Sequence, residues 1–122
     1  MKIEYERHRF GKHAEEQTCK YLQKQGLKLI ESNYRCNYGE IDLIMQDKDC
    51  IVFVEVRARA GQNFLDGLES IDSSKQSKII KTATYYLQKT KQLNEVFCRF
   101  DVVAVKLLDG SLQFHWIQDA FT

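Results

Sequence analysis

Proline is absent from this chain of 122 residues, so nothing in it forces a kink, and no Pro-rich or Gly/Ser-rich linker divides it. Neither sign of charge dominates: 18 Lys and Arg stand against 17 Asp and Glu, a formal net charge of +1. That excludes the strongly basic class of nucleic-acid binders, and any affinity for phosphate has to come from local clustering. No apolar run approaches the roughly 20 residues that a bilayer span needs; Ile51–Val54 is typical of those present. The opening MKIEYERHRF alternates charged with apolar residues and lacks the apolar core of a secretory signal, so a cytoplasmic location without membrane contact is expected. Cysteine is sparse and unpatterned. Cys19, Cys36, Cys50 and Cys98 form no CxxC pair and have no His three or four residues away, so reduced, mostly buried thiols are expected instead of a zinc site or redox pair.

What is present is an ordinary globular mixture, 43% hydrophobic and 29% charged, with seven Phe, six Tyr and one Trp. That is too aromatic for a solvated coil and enough to bury a core without metal or disulfide staples. No repeat is found, and the chain reads as a single domain over residues 1–122, with residues 1–9 a flexible start. Ala14, Thr18, Tyr21 and Leu22 recur at helical spacing over about Gly11–Lys24, and Gly26 closes that helix. Extended segments follow at Leu27–Arg35, Glu40–Met45 and Ile51–Arg57, the last a β-branched run of the kind buried on both faces. A loop begins at Ala60-Gly61-Gln62-Asn63, with indefinite structure up to Ile71. A second helix starts at Ser73 or Ser74 and runs to Lys89, with Ile79, Ala83, Tyr86 and Leu87 on its inner side. Two further strands, Phe97–Leu107 and Leu112–Ile117, are joined by a turn at Asp109-Gly110. The expected fold is α/β, a central mixed five-stranded sheet flanked by helices.

Charged residues inside an apolar strand are costly and need a reason. Glu55 and Arg57 stand two apart on one strand, Glu40 and Asp42 two apart on the strand before it. An even-numbered turn between those strands sets Asp42 opposite Glu55 and Glu40 opposite Arg57. Two facing carboxylates repel unless something cationic lies between them, and a hard divalent ion suits their oxygens. The other reading of the same residues is a plain Glu40–Arg57 cross-strand ion pair, with Asp42 facing solvent. The spacing leaves both open.

The strings GEIDLI, VFVEVRAR and RFDVVAV, preceded by FGKHAEE and followed by SSKQSK, resemble the YraN-like family of uncharacterised bacterial proteins over about Arg9–Val105. That family is assigned to the restriction-endonuclease-like fold with the PD-(D/E)XK signature, similar to archaeal Holliday-junction resolvases. The resemblance implies Asp42 and Glu55 as the two signature acids, Arg57 in the place usually held by Lys, and Glu15 as the acid from the first helix. Two departures stand out: Arg57 itself, although Arg also occurs there in the family, and Ala14 where a glycine usually precedes the helix acid. A guanidinium stays charged at any accessible pH, so Arg57 can steady phosphate charge but cannot serve as general base.

Three functions follow as expectations. The first is a Mg²⁺- or Mn²⁺-dependent nuclease acting on DNA, with Asp42, Glu55, the Val56 carbonyl and Glu15 around the metal. The second is a nucleic-acid-binding module of the same fold that has lost the reaction. The third is a structural or interaction protein whose charges only pair with each other. Lys75, Lys78, Lys81 and Lys89 with Tyr85 form a basic, aromatic-interleaved helix face suited to tracking phosphates, though a merely solvated face has the same pattern. Arg9 and Lys12, with Arg7, His8 and His13, make a second basic cluster. Arg99 and Asp101 fit a structural ion pair, Phe114 and Trp116 fit sheet packing, and His115 an exposed position. A homodimer, common among junction-cleaving enzymes, is left open.

Overall fold

The computed structural model describes residues 2–60 and 71–122, with side chains over 9–58 and 71–122. Helix α1 (Lys2–Lys24) is followed by strands β1 (Lys28–Cys36), β2 (Gly39–Asp47) and β3 (Cys50–Ala60), then helix α2 (Ser73–Lys89) and strands β4 (Phe97–Leu108) and β5 (Ser111–Phe121). The five strands form one sheet in chain order, antiparallel except for the parallel β3–β4 pair that α2 connects. The mixed α/β architecture is as expected. Beyond Ala60, the loop expected at residues 60–63 and the stretch up to Ile71 lie outside the described residues.

Helix α1 begins at Lys2, earlier than the start expected near Gly11. No proline or glycine interrupts the chain before Gly11, and one helical glycine costs only about 1 kcal/mol relative to alanine. The helix ends as expected: Gly26 takes φ +104°, and the Leu27 amide donates back to the Leu22 carbonyl at 3.1 Å. Asp72 caps α2 by accepting from the Lys75 amide at 2.9 Å.

Each face of the sheet carries its own apolar cluster. Ile51 and Phe53 join Ile79, Ala83, Tyr86 and Leu87 of α2 on one side. Val52, Val54 and Val56 join Ala14 and Leu22 of α1 on the other. β3 is therefore buried on both faces, which is why its sequence is apolar without interruption up to Glu55. The thiols depart from expectation. All four cysteines are free, but Cys19, Cys36 and Cys50 are half-buried and Cys98 is exposed, because Cys50 and Cys98 sit at the rim where β3 and β4 begin.

Asp101 is fully buried in β4 and fully partnered. Its oxygens accept from Arg99 Nε at 3.0 and 3.2 Å, Trp116 Nε1 at 2.9 Å and the Asp119 amide at 2.9 Å. Arg99 reaches on to Asp47 at 3.0 Å. The pairing of Arg99 with Asp101 is structural, and it ties β2, β4 and β5 together. Asp101→Ala removes the shared acceptor of three part-buried donors, at a cost on the order of 3 kcal/mol. Calorimetry is expected to show Tm lowered by more than about 10 °C; a loss of only a degree or two would mean the network is not holding the sheet.

Candidate active site

Strands β2 and β3 are joined by a two-residue turn, Lys48-Asp49, and pair from Asp47↔Cys50 to Leu43↔Val54. This is the register expected from an even turn, but the ladder stops one step short of Asp42 and Glu55. There the alternation of β2 breaks. Ile41 and Leu43, two apart, belong to clusters on opposite faces of the sheet. On the other side of β2, the pairing with β1 passes from Ser32↔Leu43 to Tyr34↔Ile41 without a partner for Asp42, and Asn33 takes the left-handed φ of +54°. Asn tolerates that conformation better than most residues. Asp42 thereby leaves the regular pleat, and its Oδ2 accepts a hydrogen bond from the Val56 amide at 2.8 Å. In extended backbone the N–H and C=O of one residue point to the same edge, so the Val56 carbonyl also faces the gap beside Asp42.

Glu55 stands next to that gap. Arg57 Nη2 approaches its Oε2 at 3.5 Å, while Glu55 Oε1 and Arg57 Nε are buried without a partner. Glu40 is not opposite Arg57 in any ion pair. It pairs instead with Arg35 across β1–β2 at 2.9 Å, in direct register, so the plain Glu40–Arg57 bridge is ruled out as the reason for these charges. From α1, Glu15 stands close enough to Asp42 for each carboxyl to bear on the other's titration. Among the described residues no three His, Cys, Asp or Glu side chains form one ready ligand set. Asp42, Glu55 and Val56 line the gap, with Glu15 beside them.

These residues line a cleft of about 1100 Å³ whose rim carries Lys12 of α1 and Lys75 and Lys78 of α2. Gly39 at the start of β2 lets the strand pass close under α2. Its φ is +151°, and a Cβ there would meet Thr82 Oγ1 at 3.2 Å. Of the basic residues singled out in the sequence, Lys12, Lys75 and Lys78 line the cleft. Lys81, Tyr85 and Lys89 lie further along α2 and do not, and Arg9 is exposed on α1 outside it. Asn33, Arg35 and Gly39 were not anticipated at the site. For Gly39, its place at the head of GEIDLI was the available signal; for Asn33 and Arg35 none was.

Burial, and then the charge of Asp42, push the Glu15 carboxyl up to about 7 and the Glu55 carboxyl up to about 8. Asp42 is also raised by burial, against the pull of the Val56 amide and Arg57.

Uncharacterised protein family UPF0102 matches residues 14–105, a span that includes Glu15, Asp42, Glu55 and Arg57. The chain belongs to this family. It is the YraN-like family whose motifs the sequence resembles. A UPF0102 protein of Psychromonas ingrahamii is 51% identical over 108 residues, covering 88% of this chain and 85% of its own length. Those of Nitrosococcus oceani and Coxiella burnetii are 45% and 44% identical, covering 91% and 92% of this chain and 90% and 91% of their own. None of these names states an activity. Among the described residues no helix is long and apolar enough to cross a membrane.

The raised carboxyls make a prediction about pH. The folded protein keeps protons on Glu15 and Glu55 that the unfolded chain releases near 4.5, so their contribution to stability is present below that pH and is lost as pH rises towards about 8. In chelator-containing buffer, Glu55→Gln is expected to melt several degrees above the unsubstituted protein at pH 8, with the gap closing as pH falls towards 4.5. A gap that does not change with pH would contradict the raised Glu55.

Proposed function

We propose that this UPF0102 chain is a metal-dependent nuclease that hydrolyses DNA phosphodiesters, branched DNA included, on a restriction-endonuclease-like fold formed by residues 1–122 in the cytoplasm. One observation carries the reading. Asp42, Glu55 and the Val56 backbone converge where the β2–β3 ladder opens, at the floor of a cleft rimmed by lysines. The buried, unpartnered Oε1 of Glu55 is the kind of acceptor a cation satisfies. Asp42, Glu55 and the Val56 carbonyl, all hard oxygen donors, would hold Mg²⁺ or Mn²⁺. When bound, the ion supplies an acidified water and positive charge beside the scissile phosphate.

The protein's own groups account for the rest. Arg57 lies in the cleft with its side chain 17% exposed and its Nε unpartnered, and it meets the charge that grows on phosphorus oxygens as water adds and the P–O bond breaks. Glu15, close to Asp42 with its carboxyl pushed up to about 7, can hold a proton beside it. Lys12, Lys75 and Lys78 position the backbone of the substrate. A homodimer would double this basic rim but is not needed for the chemistry.

Binding without cleavage is the second reading, and the Arg57–Glu55 contact favours it, because the guanidinium already brings positive charge to Glu55. Cleavage of branched and single-stranded DNA with Mn²⁺ decides between them. The unsubstituted chain is expected to cut, Asp42→Ala to lose cutting altogether, Arg57→Ala to lose roughly a hundredfold, and Arg57→Lys to stay within about tenfold. Equal cutting by the unsubstituted chain and Asp42→Ala would assign the activity to a contaminant. For binding, Lys75→Gln with Lys78→Gln is expected to weaken affinity for DNA and reduce the slope of log K against log salt by about two. An unchanged slope would make the lysines a solvated face only.

A further inference from the structure

Tyr38 occupies the two-residue turn between β1 and β2, is 52% exposed, and belongs to neither apolar cluster. A turn calls for Gly, Asn, Asp or Ser, so the turn itself does not ask for a large aromatic ring there. The ring is nevertheless held. It meets Tyr85 of α2 at 5.9 Å between centroids and 61° between planes, and Lys89 Nζ lies 5.5 Å from the Tyr85 centroid on the way to the next turn. Tyr85 leaves about half of the Tyr38 surface open to solvent. The next residue, Gly39, lines the cleft and abuts α2 at Lys78. Lys78, Lys81, Tyr85 and Lys89 follow one another at increments of three and four along a single helix face, a row about 16 Å long from the cleft outwards.

Cation at the cleft, aromatic face beside it and cations beyond is the pattern that holds an unpaired strand: phosphates on the lysines, a base on the ring. We infer that Tyr38, braced by Tyr85, is a stacking platform for an unpaired base of a DNA strand leaving the cleft along α2. The inference rests on the nucleic-acid reading of that cleft and names its substrate class: DNA with a single-stranded segment beside the cutting site. Paired bases in an intact duplex are stacked on their neighbours and cannot lie on the ring.

The test uses the full chain with chelator, so that nothing is cut, and measures fluorescence anisotropy with three labelled probes: an oligothymidylate of about 16 nucleotides, an abasic backbone of equal length and a blunt duplex. The unsubstituted chain is expected to prefer oligothymidylate to the abasic strand by about tenfold. Tyr38→Ala is expected to remove that preference while binding the abasic strand and the duplex as before, and Tyr38→Trp to restore it. A preference that survives Tyr38→Ala, or that the unsubstituted chain never shows, overturns the platform. Cutting by the unsubstituted chain but not by Asp42→Ala, with no base preference, would sink the platform alone. A Tyr38-dependent preference without cutting would uphold the platform and sink the nuclease, and no binding to any probe would sink both.

Discussion

A single hydrogen bond, from the Val56 amide to Asp42 Oδ2 at 2.8 Å, stands where a rung of the β2–β3 ladder would otherwise be. An unpaired amide in that position would be costly, and a carboxylate is a strong acceptor for it. Because Asp42 takes over the rung, the two strands need not stay in the pleat, and several features follow. The Val56 carbonyl is turned towards the gap, Glu55 is brought beside a second acid, and α1 can present Glu15 to Asp42 from above. The break in the pleat is supported on its far side by Asn33, whose left-handed backbone lets β1 follow the bend of β2.

The sheet holds two kinds of buried acid, and the comparison separates structure from function. Asp101 has both oxygens filled by donors from Arg99, Trp116 and the Asp119 backbone, so its burial is compensated in place. Glu55 has one oxygen without a hydrogen-bond partner among the described residues and the other 3.5 Å from a guanidinium, and burial pushes its carboxyl up to about 8 against the pull of Arg57 and the Asp42 amide. Such burial favours the protonated acid and leaves Glu55 less well compensated than Asp101. An acceptor left in that state is the feature on which the proposed cation site rests. The two-sided core around Val52, Phe53 and Val54 supplies the rigidity that tolerates such a spot.

Much of this was legible in the sequence. The uninterrupted apolar run of β3 announced a central strand, and the arithmetic of an even turn gave the β2–β3 register from Asp47↔Cys50 to Leu43↔Val54, one step short of Asp42 and Glu55. The motifs around Asp42 and Glu55 pointed to the family that the comparison with relatives then established. Other features were not legible, for physical reasons. Period-two reasoning assumes an unbroken pleat, and the break at Asp42 depends on Asn33 in a neighbouring strand. The same reasoning paired Glu40 with Arg57 because it could not see Arg35, which lies in register with Glu40 across β1–β2. The start of α1 was set too late, near Gly11, because a helical glycine looked like a boundary, yet nothing in residues 2–9 stops a helix. Tyr38 carried no periodic signal at all, since a turn residue belongs to no stripe.

The central claim is that the opening between β2 and β3 is built to take a divalent cation. Crystals of the protein soaked in Mn²⁺ test it most directly, since the ion is located by its own anomalous signal. The account predicts one anomalous peak between Asp42 and Glu55, about 2.1 Å from an oxygen of each and from the Val56 carbonyl, if Mn²⁺ follows Mg²⁺ geometry. It also predicts that the peak vanishes in Asp42→Asn. A gap that stays empty at saturating Mn²⁺, or a peak there that persists in Asp42→Asn, would contradict it.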